Sequence, residues 1–387
     1  MNLEYTAEQK AFREEIRSWL ADNVPKEPLA TLERREGYDQ HVEWERTLAS
    51  GNWGMVTWPE QYGGRGLDLI QWLIFEEEYF AAGAPNRANQ NGIFLLGPTI
   101  MEYGTDEQKA RFLTPMAKGE KIWAQAWSEP GAGSDMAAIT SKAVRDGDEY
   151  IITGQKTWSS RASYADWGFG MFRTEEGSKR HKGLTFILFD INSPGITRRP
   201  IRQLHGDTGF AELFFDEVRV PVENRLAGEG EGWNVAMATA GFERGLMLRS
   251  PGRFQATAKN LVELFRKHEG KAAPSAREAV LKAWMATQAY AYNTYAVAAK
   301  IIAGGKIGAE ASLNKIFWSE LDRDMHRTAM QLLGASAELS EFDDGSMNTW
   351  LEGYMFSLSG PIYAGSNEIQ RNITAERLLG LPRQGAG

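Results

Sequence analysis

The chain changes its apolar periodicity twice, and those two changes limit what it can fold into. In the first third, Phe12, Ile16, Trp19 and Leu20 stand at i, i+4, i+7 and i+8, one face of an amphipathic helix. Thr6-Ala7-Glu8-Gln9 ahead of them is a capping box, whose hydroxyl and amide satisfy N–H groups that a helix start leaves open. Pro25 and Pro28 stop the run. Helical spacing returns over 42–48 and 70–80, and Thr105-Asp106-Glu107-Gln108 repeats the capping chemistry before another short helix. Between them lie a glycine-rich loop at 62–66 and an apolar stretch at 92–98.

After Lys121 the pattern becomes that of strands. Asp146-Gly147 is a hairpin turn between β-rich runs at 141–144 and 150–153, and 184–189 and 212–220 are further short runs bounded by Gly, Pro and Asn. From Gly232 the helical period resumes, which predicts long helices over 233–265, 276–303 and 309–333 and a short one after Asn372. An α+β chain follows, with an N-terminal helical domain over 1–120, a middle antiparallel β domain over 121–230 and a C-terminal helical bundle over 231–387. At 387 residues it exceeds the ~250–300 at which one core stops growing, so several domains are expected.

Composition removes several function classes. The formal net charge of -8 argues against nucleic acid, which demands clustered Lys and Arg to neutralise phosphate. Without cysteine there is no disulfide, thiolate metal site or cysteine nucleophile. His41, His181, His205, His268 and His326 lie far apart without metal-ligand spacing, so no metal is expected. The N-terminus has no basic patch leading into an apolar run, and no stretch nears the ~20 apolar residues of a membrane span. The expectation is a cytoplasmic enzyme that does not engage membranes.

Trp127-Ser128-Glu129-Pro130-Gly131-Ala132-Gly133-Ser134-Asp135 concentrates glycines, hydroxyls and carboxylates just after an apolar run. Glycines let a backbone come close to a ligand, and N–H groups in such a turn can cradle phosphate. It is not a dinucleotide fingerprint, because Met136 stands where a further glycine belongs, and no Gly-Lys-Ser/Thr follows to make a P-loop. Gly154-Gln155-Lys156-Thr157-Trp158-Ser159-Ser160 comes next. Ile362-Tyr363-Ala364-Gly365-Ser366-Asn367-Glu368-Ile369-Gln370-Arg371-Asn372-Ile373 lies near the C-terminus. Together the three resemble the acyl-CoA dehydrogenase family of flavoproteins. Tyr62-Gly63-Gly64-Arg65-Gly66-Leu67-Asp68, Phe214-Phe215-Asp216-Glu217-Val218-Arg219-Val220-Pro221 and Ala375-Glu376-Arg377-Leu378-Leu379-Gly380 add matches in the family's order, nearly end to end.

The resemblance implies FAD as cofactor. An isoalloxazine ring is planar and apolar with a polar rim, so its site needs an aromatic wall and short polar groups. Trp158 with Ser160, and Trp127 with Ser128, offer both. In the family, residues matching Trp158 and Ser160 lie beside the reactive face and N5 of the flavin. Gln125, Trp127, Ser128, Gly133 and Ser134 belong to the stretch that meets the ring edge, ribityl or pyrophosphate, and Ser366 and Glu368 also touch FAD. Ser134, Arg244, Ala364 and Gly365 are implied on the substrate side. Two stretches depart from the pattern. The segment 264–270 replaces an aromatic-glycine motif that reaches a neighbouring subunit's FAD, leaving Arg266 for its pyrophosphate. Gln331-Leu332-Leu333-Gly334-Ala335 is less glycine-rich than the family's adenosine loop.

The main departure is Ala364, where many relatives carry the glutamate that removes the α-proton of the acyl thioester. Alanine cannot accept a proton, but its backbone N–H can still stabilise a developing enolate oxygen. Gly241-Phe242-Glu243-Arg244-Gly245 supplies a replacement, since in some family branches the base sits on this helix just before an arginine. Gly241 and Gly245 lie about one turn apart, and each costs ~1 kcal/mol in a helix interior. That points to close approach of substrate or a neighbouring helix; the structural alternative pairs Glu243 with Arg244 or Arg249. The expected reaction is FAD-dependent dehydrogenation of an acyl-CoA thioester to a trans-2-enoyl-CoA. Glu243 is its base, electron-transfer flavoprotein its electron acceptor, and the assembly a homotetramer or an α2β2 heterotetramer. Two alternatives stay open: a flavin oxidase or monooxygenase on the same fold, and a catalytically silent subunit of a heteromeric enzyme.

Overall fold

The computed structural model describes residues 4–244, 250–270, 272–341 and 347–383, with only the backbone of Glu243 and Arg244. Among the described residues the helices are α1 (Ala7–Asn23), α2 (Arg35–Ser50), α3 (Leu69–Ala81), α4 (Gly97–Tyr103), α5 (Asp106–Ala117), α6 (Gly232–Arg244), α7 (Pro251–His268), α8 (Pro274–Ile302), α9 (Ala311–Leu333), α10 (Thr349–Ser357) and α11 (Asn367–Ile373). The strands are β1 (Trp123–Ala126), β2 (Lys142–Asp146), β3 (Glu149–Ser160), β4 (Trp167–Arg173), β5 (Leu184–Asp190), β6 (Ile196–Ile201), β7 (Phe210–Pro221) and β8 (Arg225–Leu226). The chain divides into two compact units, one of Met1–Val24, Asp68–Ala84 and Arg244–Gly387, the other of Pro25–Leu67 and Pro85–Glu243. No helix among the described residues is long and apolar enough to cross a membrane.

The first unit is helical. Thr6 and Gln9 form the capping box that starts α1, and Val24, extended ahead of Pro25, ends it. Phe254, Leu261, Tyr290, Trp318 and Met325 from α7, α8 and α9 form its core. The helix expected over 233–265 is two helices. Pro251 opens α7 at a position where a missing N–H costs nothing, and it holds Ser250 extended at ψ 151. The short helix expected after Asn372 is a π-helical turn, Thr374–Leu378, which continues α11. Helix α11 itself begins at Asn367, where the Ser366 hydroxyl accepts from the Ile369 N–H and caps it.

The second unit is built on one sheet in the order β6-β7-β3-β1-β4-β5-β8, with β2 pairing β3 and β4. The expected hairpin is present, Asp146 opposite Glu149 with Gly147 at φ 61. Pairing between the strands is antiparallel except along β1 and β4, which run parallel, and at one bridge between Lys142 and Arg173; Leu184 also makes a parallel bridge to Glu231. Strand β4 carries two glycines, Gly168 and Gly170. A Cβ at Gly168 would lie 2.4 Å from the Phe189 ring, and one at Gly170 would lie 2.6 Å from the Ala126 carbonyl, so both admit a close neighbour. Tyr150, Phe172, Phe189 and Phe215 pack with Leu32 and Tyr38 in the core. The apolar stretch at 92–98 is a π-helical turn, Gly92–Leu96, running into α4.

Candidate active site

Strands β1 and β3 are neighbours, so the two motifs singled out in sequence meet. Gln125 pairs with Ser160, and the Thr157 N–H donates to the Ser128 carbonyl at 2.8 Å. The β3–β7 register shifts between Lys156 and Ser159, a bulge that leaves Trp158 in the left-handed region at φ 55. A bulky residue is strained there, and bulges re-aim side chains. Trp158 is 59% exposed, its ring edge-on to Phe210 at 6.2 Å. Trp127 is buried edge-on to Phe169 and Phe186. Neither its indole N–H nor the buried Ser159 hydroxyl has a hydrogen-bond partner among the described residues. Buried donors are normally paired. Two orphans in the motifs that present an outward indole fit a planar group with an apolar face and an acceptor-rich rim. Gly133 and Ser134 are exposed, and a Cβ at Gly131 or Gly133 would meet nothing within 4 Å, so this backbone is open to a ligand.

A buried ion pair ties the motifs together. Lys156, 0% exposed, donates to Glu129 Oε1 at 2.9 Å, to the Met171 carbonyl at 2.7 Å and to the Trp127 carbonyl at 3.4 Å. Its ammonium also lies 4.9 Å from the Phe172 ring centroid. Glu129 accepts from Thr140 N at 2.6 Å, Thr140 Oγ1 at 2.9 Å and Ser141 N at 3.0 Å. Burial alone would raise the Glu129 carboxyl, yet the Lys156 charge and these hydrogen bonds hold it at about 2. The same burial keeps Lys156 below its ordinary value even with Glu129 beside it. Trp127 and Glu129 belong to the first motif and Lys156 to the second, while Met171 and Phe172 lie on β4.

The C-terminal motif lies in the helical unit. Asn367 Oδ1 accepts from Lys315 Nζ at 2.8 Å and Ser319 Oγ at 3.1 Å, and Lys315 also donates to the Gly360 carbonyl at 2.9 Å. Within this frame Ala364 and Gly365 take successive left-handed conformations, φ 56 and 77. A Cβ at Gly365 would lie 2.4 Å from Gln370 Nε2. Glu368 is exposed in the first turn of α11, held below the usual carboxylate value by its own backbone N–H and the Ser366 hydroxyl. Arg266 is exposed in the last turn of α7. Glu243 and Arg244 end α6, but their side chains, with Gly245 and Arg249, lie outside the described residues. A Cβ at Gly241 would meet nothing beyond its own helix within 4 Å, so no other described element approaches it.

Family models for the acyl-CoA dehydrogenase N-terminal, middle and C-terminal domains match residues 6–120, 124–218 and 230–379. The chain belongs to the acyl-CoA dehydrogenase family. Acyl-CoA dehydrogenase IpdE1 of Mycobacterium tuberculosis is 39% identical over 384 residues, spanning 97% of this chain and 98% of that one. Among solved structures, the Tcur3481-Tcur3483 steroid ACAD has a TM-score of 0.87 at 28% identity, covering 99% of this chain and 100% of that one. The ChsE4-ChsE5 complex from Mycobacterium tuberculosis has a TM-score of 0.84 at 30% identity, with 99% and 100% covered. This acyl-CoA dehydrogenase therefore has the family's α+β fold of helical, β and helical parts and is a flavoprotein-type oxidoreductase of acyl-CoA catabolism.

Three residues that tie the motifs of the candidate site together went unassigned in sequence. Lys156 and Glu129 sit inside quoted motifs, and the available signal was a lysine on the buried phase of a strand. Asn91, just before the π-helical turn, donates from Nδ2 to the Ser160 carbonyl at 3.4 Å. A π turn often marks a functional site, but no local pattern in 92–98 announces it.

Proposed function

We propose that this acyl-CoA dehydrogenase binds FAD along β1 and β3 and converts an acyl-CoA thioester to its trans-2-enoyl-CoA. The observation that carries the reading is the Trp158 bulge, an exposed, strained indole in a motif pair that also holds two unpartnered buried donors. Trp158 and Ser160 would face the reactive side of the ring, and Gln125, Trp127 and Ser128 its edge. Gly133 and Ser134 would hold the ribityl or pyrophosphate, and Ser366 and Glu368 are further proposed FAD contacts. When bound, FAD would supply the acceptor for the substrate's β-hydride, with an electron-transfer flavoprotein as the onward electron acceptor.

The chain's own residues handle the proton. Glu243 takes it from the α-carbon, because Ala364 has no group to accept it. The backbone N–H groups at Ala364 and Gly365 polarise the thioester carbonyl, and a rigid left-handed turn suits fixed donors aimed at one oxygen. Arg244 and Ser134 complete the substrate side. Exposed Leu281, Trp284, Met285 and Tyr292 on α8, with Leu313 and Phe317 on α9, support assembly into a tetramer, homomeric or α2β2. The paired names of the two solved relatives favour testing for a second chain, and the steroid ACAD puts steroid-derived thioesters among the first substrates to try.

The test is anaerobic flavin reduction by straight-chain, branched, cyclic and steroid-derived acyl-CoA thioesters, in the parent and in Glu243→Gln. A positioned general base contributes ~10²–10⁴-fold, so reduction should slow on that scale while FAD content and acyl-CoA binding persist. Equal rates in parent and variant would overturn Glu243 as the base. Flavin that no thioester reduces in the parent would overturn the reaction.

A further inference from the structure

We propose that Gln370 is a positioning residue for loss of the α-proton: its buried side-chain amide holds the Gly365 carbonyl inward and keeps the Ala364 and Gly365 N–H groups aimed at the thioester oxygen; this rests on the acyl-CoA reading above. Gln370 lies on α11 and is 0% exposed. Its Nε2 donates to the Gly365 carbonyl at 3.3 Å, while its buried Oε1 has no partner among the described residues. A buried amide with open hydrogen-bonding capacity is costly. Leucine or methionine would fill the same space without that cost and form helix equally well. Packing therefore does not account for an amide here, and the bond to Gly365 does. Gly365 is fitted to that bond. A Cβ there would lie 2.4 Å from Nε2, so a residue with a side chain would push the amide off the carbonyl.

The turn is pinned on both sides and open at its centre. The Tyr363 N–H donates to the Ser359 carbonyl at 3.1 Å, the Asn367 N–H to the Pro361 carbonyl at 2.8 Å and the Gln370 N–H to the Ser366 carbonyl at 2.9 Å. Lys315 fixes the base of the segment through the Gly360 carbonyl and Asn367 Oδ1. Between these pins Ala364 and Gly365 are left-handed in succession, φ 56 and 77, and neither N–H donates to a described residue. Successive N–H groups in such a turn form a concavity suited to an oxygen that gains negative charge. Peptide groups are rigid planes joined through two dihedrals per residue, so a Gly365 carbonyl that swings away turns the adjoining N–H groups with it. The Gln370 amide is what restrains that swing.

Two variants of the FAD-loaded protein test this. Gln370→Met keeps the length and removes the donor, and Gln370→Asn keeps the amide but ends one methylene short of Gly365. Anaerobic flavin reduction is followed at rising concentrations of the thioester that, among those tested above, reduces the parent's flavin fastest. Both variants should reduce ~10–100-fold more slowly at saturation, less than the ~10²–10³-fold typical of deleting such a donor outright. The half-saturating concentration and the FAD content should stay near the parent's. Isotope-edited infrared spectra of the matching 2-enoyl-CoA, carbonyl-labelled and bound to the oxidised protein, report the aim of the N–H groups. Its thioester carbonyl band should shift to lower wavenumber on binding the parent and shift less on binding either variant. Parental reduction rates in both variants overturn the inference. So does a loss of FAD or melting temperature with the carbonyl shift unchanged, which would make the amide a stability element only. Parent flavin that no thioester reduces overturns the inference together with the acyl-CoA reading.

Discussion

Lys156 places a positive charge where water does not reach, and Glu129 is what makes that tolerable. Removing one member of such a pair strands the other, which typically costs ~3–5 kcal/mol, whereas replacing both with uncharged groups of similar size is often nearly neutral. Lys156→Met should therefore destabilise the protein strongly in urea unfolding, and Lys156→Met with Glu129→Gln should recover much of the loss. The carboxyl also sets an acid limit. Its folded value of about 2 lies below the ordinary 4.5, so the stability it contributes is complete above pH 4.5 and is lost as pH falls toward about 2. Glu129→Gln should flatten that acid limb in thermal melts taken across the range. Ala364 poses a different question at the same scale. It already carries a Cβ in the left-handed region, so a longer side chain there adds no new backbone strain. In the Glu243→Gln background, Ala364→Glu should restore part of the flavin reduction by acyl-CoA. No recovery would mean that this turn does not present its side chain to the α-carbon.

Among the elements, the turn from Gly360 to Asn367 and the bulge in β3 share one device: a left-handed non-glycine residue held by buried polar anchors. At the bulge the anchors are Lys156 and Glu129, and at the turn they are Lys315 and Asn367. Such strain persists only where surrounding structure enforces it, and it gathers at functional sites. Gly365 combines φ 77 with a Gln370 amide 2.4 Å from where a Cβ would stand. Gly365→Ala should lower stability by ~1–3 kcal/mol in thermal unfolding. It should also slow flavin reduction more than it weakens FAD binding, because it shifts an amide assigned to the thioester carbonyl. An unchanged melting temperature and rate would show that the turn relaxes freely.

For the molecule as a whole, the family fold is established and its loading and assembly are the open quantities. Purified protein should be yellow and should release FAD on denaturation; colourless protein that stays inactive after FAD is supplied contradicts the cofactor assignment. Light scattering should give a tetramer mass, and Trp284→Glu with Met285→Glu should reduce that mass by placing charge on the exposed apolar residues of α8. A parent that scatters as a monomer would reject both assembly forms. Loading that requires co-expression with a related chain would select the α2β2 form over the homotetramer.

The sequence by itself determined what local chemistry encodes. The Thr6 and Thr105 capping boxes, the Asp146-Gly147 hairpin and the change from helical to strand period need only residues close together in the chain, and each is found where it was read. The three motifs were likewise legible, because their glycines, tryptophans and serines are contiguous. Tertiary structure decided what depends on distant partners. Strand β4, with two glycines, pairs because Phe189 and Ala126 approach it, and the two units each draw together segments far apart in the chain. The left-handed Trp158 and the buried Lys156–Glu129 pair exist only once β1, β3 and β4 are assembled. Burial turns Lys156 into a structural anchor and exposure makes the Trp158 indole a candidate ring wall, and both are properties of the folded chain.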